Sequence, residues 1–352
     1  MDSSTRAIRW RTPSATFLMG FGGLLAQMVL LREILIVFNG NELCIGLALG
    51  NWLLLEAVGA YIGGRLADRA RDATVLLVVL QLIFATAFVL AIPAVRIART
   101  MLLPIHGQGA GVELMVGYSL AILAAVSIPH GALFPVCCRS GRGQVAAGRV
   151  EDAGECGALS GKIYAIETVG MIAAGLSFYY WTVKNLNSQQ IAFAIAALNA
   201  VLSAFIALAG ARRGKKALLF FSLLVTVGAI DGLAGGLLGG LHDRALATQW
   251  PGQRVLRYEN SVYGNLAVTE KDGQYTVYSD GIPTVTLPVP DVIAVGEFAH
   301  FTLLVHPAPR DVLIISGGVG GLIAETLKHP DTLVTYTELD PLVMDLVRGL
   351  RL

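Results

Sequence analysis

The chain has 352 residues, 55% of them hydrophobic and only 14% charged, with a formal net charge of +1. Soluble domains carry roughly a quarter charged residues, so this composition excludes a single water-soluble globule. The near-neutral balance gives no basis for binding nucleic acid. Hydrophobic spans are predicted at 14–38, 43–64, 74–95, 112–136, 163–183, 190–210 and 217–241, each close to the roughly 20 apolar residues a bilayer-crossing helix needs. The first run is too long for a cleavable signal peptide and lacks a small-residue cleavage site. Basic residues alternate between the connections. Arg6, Arg9 and Arg11 precede the first span. Arg65, Arg69 and Arg71 follow the second, Arg139, Arg142, Arg149 and Lys162 the fourth, and Arg212, Arg213, Lys215 and Lys216 the sixth. The alternate loops hold only Arg96, Arg99 and Lys184. The positive-inside rule then puts the N-terminus in the cytoplasm. Seven crossings would leave the C-terminal part on the other side. The last span, diluted by Asp231 and several glycines, is the candidate for not crossing, and the side of the C-terminal part stays open.

Arg32, Glu33, Glu56, Glu167 and Asp231 fall inside predicted spans, where charge is costly and faces a partner or a cavity. Arg32 and Glu33 are neighbours, project in different directions and need separate partners, although Arg32 is near enough to a span end to snorkel. Gly59-x-x-x-Gly63 and the series Gly232, Gly236, Gly240 predict close helix packing. Gly64-Arg-Leu-Ala-Asp-Arg-Ala-Arg71 resembles the loop motif of major facilitator transporters, a weak pointer to shared ancestry of the membrane part. Cys44, Cys137, Cys138 and Cys156 show no metal-ligand spacing and read as unpaired thiols.

After His242 the pattern changes. Gly264–Glu270 and Gln274–Asp280 alternate and predict a β-hairpin about Lys271-Asp272-Gly273. Asp280-Gly281 turns into Ile282–Leu287, and Pro288 and Pro290 break the chain. A helix is predicted over Val292–Val305, a strand over Val312–Ser316, a helix over Leu322–Lys328, a strand over Leu333–Glu338 and a final helix from Pro341. The run Ser316-Gly-Gly-Val-Gly-Gly321 between strand and helix, with Glu338 ending the next strand about 20 residues on, suits an adenosine-containing ligand. Glycine lets backbone approach the ligand, and a carboxylate accepts hydrogen bonds from ribose hydroxyls. Two parallel strands with one crossover do not make a doubly wound sheet. The expectation is that the chain is truncated at Leu352, or that another chain completes the sheet.

Several segments carry a family resemblance: Glu259-Asn-Ser-Val-Tyr263, Tyr278-Ser-Asp-Gly281, Glu297-Phe298, His306-Pro-Ala-Pro-Arg-Asp-Val-Leu-Ile314, the glycine run, Glu325, Lys328-His329-Pro330 and Glu338-Leu-Asp340. In order and spacing this part resembles the spermidine synthase (polyamine aminopropyltransferase) family. The whole chain resembles bacterial multi-pass membrane proteins fused to such a domain. The resemblance implies a small β domain followed by a methyltransferase-like Rossmann domain, and transfer of an aminopropyl group from decarboxylated S-adenosylmethionine to an amine. It implies Gly317, Gly318, Gly320 and Gly321 as the cofactor loop and Glu338 as the ribose ligand, with Asp280, His300 and Tyr263 as weaker binding candidates. It places the catalytic aspartate beyond Leu352, leaving the catalytic residue unknown here. Three positions depart from the family pattern. Val319 stands where an aspartate helps hold the donor's amino group, Tyr263-Gly264 replaces a Tyr-Gln pair, and His300-Phe301-Thr302 replaces a Tyr-His-Glu or Tyr-Gln-Glu segment.

The expected architecture is therefore a multi-pass α-helical membrane region over 1–241, a small β-hairpin domain over 242–291 and the first part of a Rossmann-like S-adenosyl-binding domain over 292–352. The expected function is membrane-bound aminopropyl transfer. The alternatives are an S-adenosylmethionine-dependent methyltransferase, and a transporter or sensor in which Glu56, Glu167 and Asp231 form a cation path beside a non-catalytic nucleoside-binding domain. The expected setting is the bacterial inner membrane, with a lipid bilayer, an amine substrate and a second copy of the chain as partners, and no metal.

Overall fold

The computed structural model describes residues 3–102, 109–145, 153–208 and 215–350. The chain divides into two compact units, Met1–Ala245 and Leu246–Leu352. The first is helical: α1 (Ser3–Val37), α2 (Leu43–Arg69), α3 (Ala73–Leu102), α4 (Val112–Val145), α5 (Ala153–Ser177), a π-helical turn at Phe178–Thr182, α6 (Val183–Asn185), α7 (Ser188–Leu208) and α8 (Lys215–Leu233), with α9 (Gly240–Gln249) running across the boundary. Among the described residues, seven helices are long and apolar enough to cross a membrane.

Apolar side chains from α1, α3, α4, α5 and α7 fill the centre of the bundle, around Met19, Leu77, Leu133, Ile163 and Ile206. Glycines set its closest approaches. A Cβ at Gly59 would fall on the backbone of Ile128, one at Gly63 on Ala132, and one at Gly131 on the backbone of Glu56. Thus α2 and α4 meet nearly backbone to backbone. Cys44, Cys137 and Cys138 are buried free thiols, while the side chain of Cys156 lies outside the described residues.

Two sequence expectations are corrected in this unit. Arg96 and Arg99 are not loop residues: α3 runs on to Leu102, and both arginines are buried within it. The reason is a partner across the bundle. Arg96 is bidentate to Glu33, with Nη2 2.7 Å from Oε1 and Nε 2.8 Å from Oε2, and its Nη1 donates to His242 Nδ1 at 3.1 Å. Glu33 thus has its partner, while the Arg32 guanidinium lies 5.8 Å from the ring centre of Phe178. The last span also ends early. α8 stops at Leu233, and Asp231 Oδ2 accepts from the Leu238 N–H at 2.8 Å, closing the turn that follows. Gly232 packs against the Phe193 ring, but Gly236 and Gly240 lie beyond α8, so the glycine series does not share one helix face. Asp231 serves a turn, not an intramembrane path.

The second unit has a four-stranded antiparallel sheet in the order β1 (Arg254–Asn260), β2 (Asn265–Lys271), β3 (Gln274–Ser279), β4 (Ile282–Leu287). Two two-residue turns set its register. Asp272-Gly273 joins Lys271 to its partner Gln274, and Asp280-Gly281 joins Ser279 to Ile282. All four turn residues have positive φ, at 52°, 79°, 46° and 84° respectively, as tight hairpins matching the strand twist require. The first strand, β1, is not predicted from the sequence. A register shift between Val255 and Arg257 breaks the alternation that would have revealed it.

Beyond the sheet come α10 (Val292–Leu304), β5 (Asp311–Ile315), a 3-10 turn at Gly318–Gly320, α11 (Leu322–Thr326), β6 (Leu333–Thr337) and α12 (Pro341–Gly349). β5 and β6 pair in parallel, Ile315 opposite Thr337. The Asp291 side chain caps α10 by accepting from Ala294 N–H at 3.1 Å, and Asp340 caps α12 by accepting from Leu342 N–H at 3.1 Å. The unit's core joins Leu266, Val268, Val277 and Val285 of the sheet to Leu346 of α12, with Val319, Leu342, Val343 and Val347 packed against them.

Candidate functional site

The site candidate lies where β5 leaves the parallel pair. Ser316 N–H donates to Thr337 O at 2.8 Å, extending the pairing one residue past β5. The chain then turns through Ser316 and Gly317, both in the left-handed region at φ 59° and 76°. Nothing lies within 4 Å of a Cβ built on Gly317, so that face of the loop is open. The turn closes at Gly321, at φ 105°, a conformation only glycine adopts easily.

Glu338 follows β6 directly beside this turn. Its Oε1 accepts from Ser316 Oγ at 2.7 Å and from Leu339 N–H at 3.0 Å, and Tyr336 OH donates to Oε2. Burial pushes the carboxyl upward, but hydrogen bonds from Tyr336, Ser316, Leu339 and the Gly317 backbone outweigh it and hold Glu338 below the usual carboxylate range. Burial, with Glu338 alongside, raises the Tyr336 phenol to about 12, so it stays a donor at neutral pH. The result is a fixed, ionised acceptor beside an open glycine backbone. The sequence run Ser316–Gly321 contains Ser316 without giving it a role, and Tyr336 lies outside that run. Tyr336 lies in β6 and Glu338 just past its end, two residues apart, a spacing that suits one face of extended chain. That signal was available.

The glycines of the loop differ in setting. Gly317 is exposed, whereas Gly318 and Gly320 are buried. A Cβ on Gly318 would meet the Tyr336 ring, and one on Gly321 would press on Pro290. Gly318 and Gly321 thus serve close packing, while Gly317 offers the open surface. Val319 belongs to the apolar cluster between the sheet and α12.

Of the weaker candidates, Asp280 and His300 have partners of their own, and Tyr263 is exposed. Asp280 Oδ1 accepts from Asn265 N–H at 2.9 Å, and its carboxylate fills the space a side chain at Gly264 would need. Here is a physical reason for glycine at position 264. Tyr263 is 55% exposed, and its N–H donates to Ser261 Oγ at 3.0 Å. His300 Nδ1 is 2.9 Å from His329 Nε2, and its Nε2 is 3.3 Å from Glu325 Oε2, which Lys328 also holds through the other oxygen. None of these His300 partners belongs to the Gly317–Glu338 corner. Among the described residues no group of three or more His, Cys, Asp or Glu side chains is placed to hold a metal ion.

Residues 295–350 match the spermine/spermidine synthase domain. The resemblance to the spermidine synthase family is thus shown over this segment. The chain is 34% identical over 110 residues to a spermidine synthase of Dictyostelium discoideum, covering 28% of this chain and 38% of that protein. It is 38% identical over 95 residues to a polyamine aminopropyltransferase of Moorella thermoacetica, covering 26% and 32%, and 33% identical over 109 residues to that of Thermococcus onnurineus, covering 31% and 35%. The chain therefore spans about a third of the length of these curated relatives. No solved structure matches it.

Proposed function

We propose that the protein is a membrane-bound transferase of the aminopropyltransferase kind, taking an S-adenosyl donor at the Gly317–Glu338 corner and an amine as acceptor. The observation that carries this reading is the ionised Glu338 held beside the open Gly317 backbone, within the segment that matches the synthase domain. Ribose hydroxyls are donors and need a fixed acceptor. The donors already on Glu338 keep it charged and immobile, and Oε2, with Tyr336 its one side-chain donor, has a lone pair to offer. The bound donor supplies an electrophilic carbon next to a sulfonium. The residues of this chain orient it: Gly317 allows close approach and Glu338 holds the sugar, which is catalysis by positioning. The seven apolar helices of the first unit support a membrane setting, and the basic residues after the second and fourth spans support a cytoplasmic N-terminus.

Methyl transfer is the second reading, and Val319 favours it. With a valine packed into the core, the corner lacks the acid that would hold a decarboxylated donor's amine and repel the carboxylate of S-adenosylmethionine.

Calorimetric titration of the full chain in detergent with decarboxylated S-adenosylmethionine, S-adenosylmethionine and methylthioadenosine tests both. Binding of the decarboxylated donor, weakened about tenfold or more in Glu338→Ala as a lost hydrogen bond to a charged group predicts, supports aminopropyl transfer. A preference for S-adenosylmethionine moves the assignment to methyl transfer. Absence of binding by all three ends the enzyme reading.

A further inference from the structure

The helical unit holds a second polar site, away from the glycine loop in sequence and independent of the transferase reading. Glu56 sits at the middle of α2, His130 follows Pro129 in α4, and Glu167 lies in α5. Together with Ala60, Phe134 and Tyr164 they line a cavity of about 330 Å³. The hydrogen bonds of His130 define its charge. Nε2 faces the Met19 carbonyl at 3.1 Å, so it donates there. Nδ1 lies 2.6 Å from Glu56 Oε1. Whichever of the two carries the shared proton, the His130–Glu56 pair is neutral overall. Glu167 makes no hydrogen bond or ion pair among the described residues, and the charged groups that act on it are His130, which attracts, and Glu56, which repels.

The bundle is built around these groups. A Cβ at Gly23 would occupy the His130 ring, one at Gly131 would strike the Glu56 backbone, and one at Gly20 the Glu167 backbone. Each ionisable residue faces a helix that is bare at the point of contact. A charged group at membrane depth faces a partner or a cavity, and Glu167, which makes no hydrogen bond among the described residues, faces the cavity. Among the described residues no group of three or more His, Cys, Asp or Glu side chains is placed to hold a metal ion, and a cavity of about 330 Å³ has room for more than one water. Its walls include the Phe134 and Tyr164 rings, which suit an apolar body and can attract a cation over their faces. An ionised carboxylate is acceptor-only, so it can receive the N–H donors of an ammonium group.

We propose that the Glu56–His130–Glu167 cavity is a binding site for a protonated alkylamine, its ammonium on Glu167 and its hydrocarbon against Phe134 and Tyr164. The test uses the full chain in detergent, with radiolabelled n-butylammonium as probe and unlabelled butylammonium, tetrapropylammonium and sodium as competitors. Saturable binding is expected, displaced by butylammonium only. It should weaken about tenfold or more in Glu167→Gln and fall likewise in Ala60→Leu, which fills the cavity without touching its charges. Gel filtration and thermal melting of each variant show whether it has folded. Glu338→Ala should leave butylammonium binding unchanged, which separates this site from the transferase corner. No saturable binding by the wild-type chain, unchanged binding in folded Glu167→Gln, or equal displacement by tetrapropylammonium would overturn the proposal.

Discussion

Arg96 is fully buried and held in a two-pronged grip by Glu33. Removing one member of such a pair strands the other charge, at a cost of about 3–5 kcal/mol, whereas replacing both by apolar residues recovers much of it. Arg96→Met is therefore expected to lower the melting temperature sharply, and Glu33→Leu with Arg96→Met to restore most of the loss. Equal destabilisation in the single and double variants would show that the pair is not the source. His242 completes the cluster. Burial, and then the Arg96 charge, bring its imidazole down to about 4 from 6.5, against a smaller upward pull from Glu33 and Asp243. The folded state thus keeps it neutral while the unfolded chain protonates it. Its contribution is full above pH 6.5 and is lost as the pH falls from there toward 4. Melting curves across that window should slope downward with acidification, and His242→Asn should flatten the slope. The sequence displayed Arg32 and Glu33 as charges needing partners, but not which partner. Arg96 lies 63 residues from Glu33, and no local pattern links them.

At the scale of elements, the α2–α4 contact depends on glycine. Gly131→Val would push a branched side chain onto the Glu56 backbone, and overpacking of this kind costs typically 1–3 kcal/mol, about the range expected here. Loss of thermal stability should exceed that of Gly117→Val on the same helix, since a Cβ at Gly117 meets nothing within 4 Å. In the second unit, Val319→Asp restores the residue of the family pattern but places a carboxylate against the apolar cluster of the sheet and α12. The expected outcome is a less stable C-terminal unit with no gain in donor affinity, because desolvating a carboxylate without a partner is unfavourable. Tighter donor binding in that variant would show that position 319 turns toward the ligand. Gly59-x-x-x-Gly63 was legible as a packing motif, and both hairpin turns were legible from Asp-Gly dipeptides. β1 was not, because its bulge breaks the two-residue period on which strand recognition rests.

At the scale of the whole molecule, the transferase reading makes a demand on topology. Adenosyl donors are cytoplasmic, so a cytoplasmic N-terminus requires an even number of crossings before the C-terminal unit. The candidate span within α8, Lys216–Leu233, is the shortest of the seven at 18 residues, about 27 Å of helix against a hydrocarbon core of about 30 Å. Reporters fused at each end of the full chain should therefore report the same side of the membrane. Opposite sides would mean that α8 crosses, and would separate the C-terminal unit from its donor.

The sequence by itself determined the large divisions: apolar helices first, then hairpins, then a glycine turn paired with an acid about 20 residues on. These follow from composition and from periods of 2 and 3.6 residues, which are local properties of the chain. It also marked Glu338 and Gly317. Only the tertiary structure decided what the remaining charged and small residues do. It buried Arg96 on Glu33, turned Asp231 to a loop and Val319 to the core, and brought Glu56, His130 and Glu167 from three helices to one cavity. The physical reason is that a buried charge is satisfied by whatever the fold brings within hydrogen-bond reach, and that distance has no counterpart along the chain.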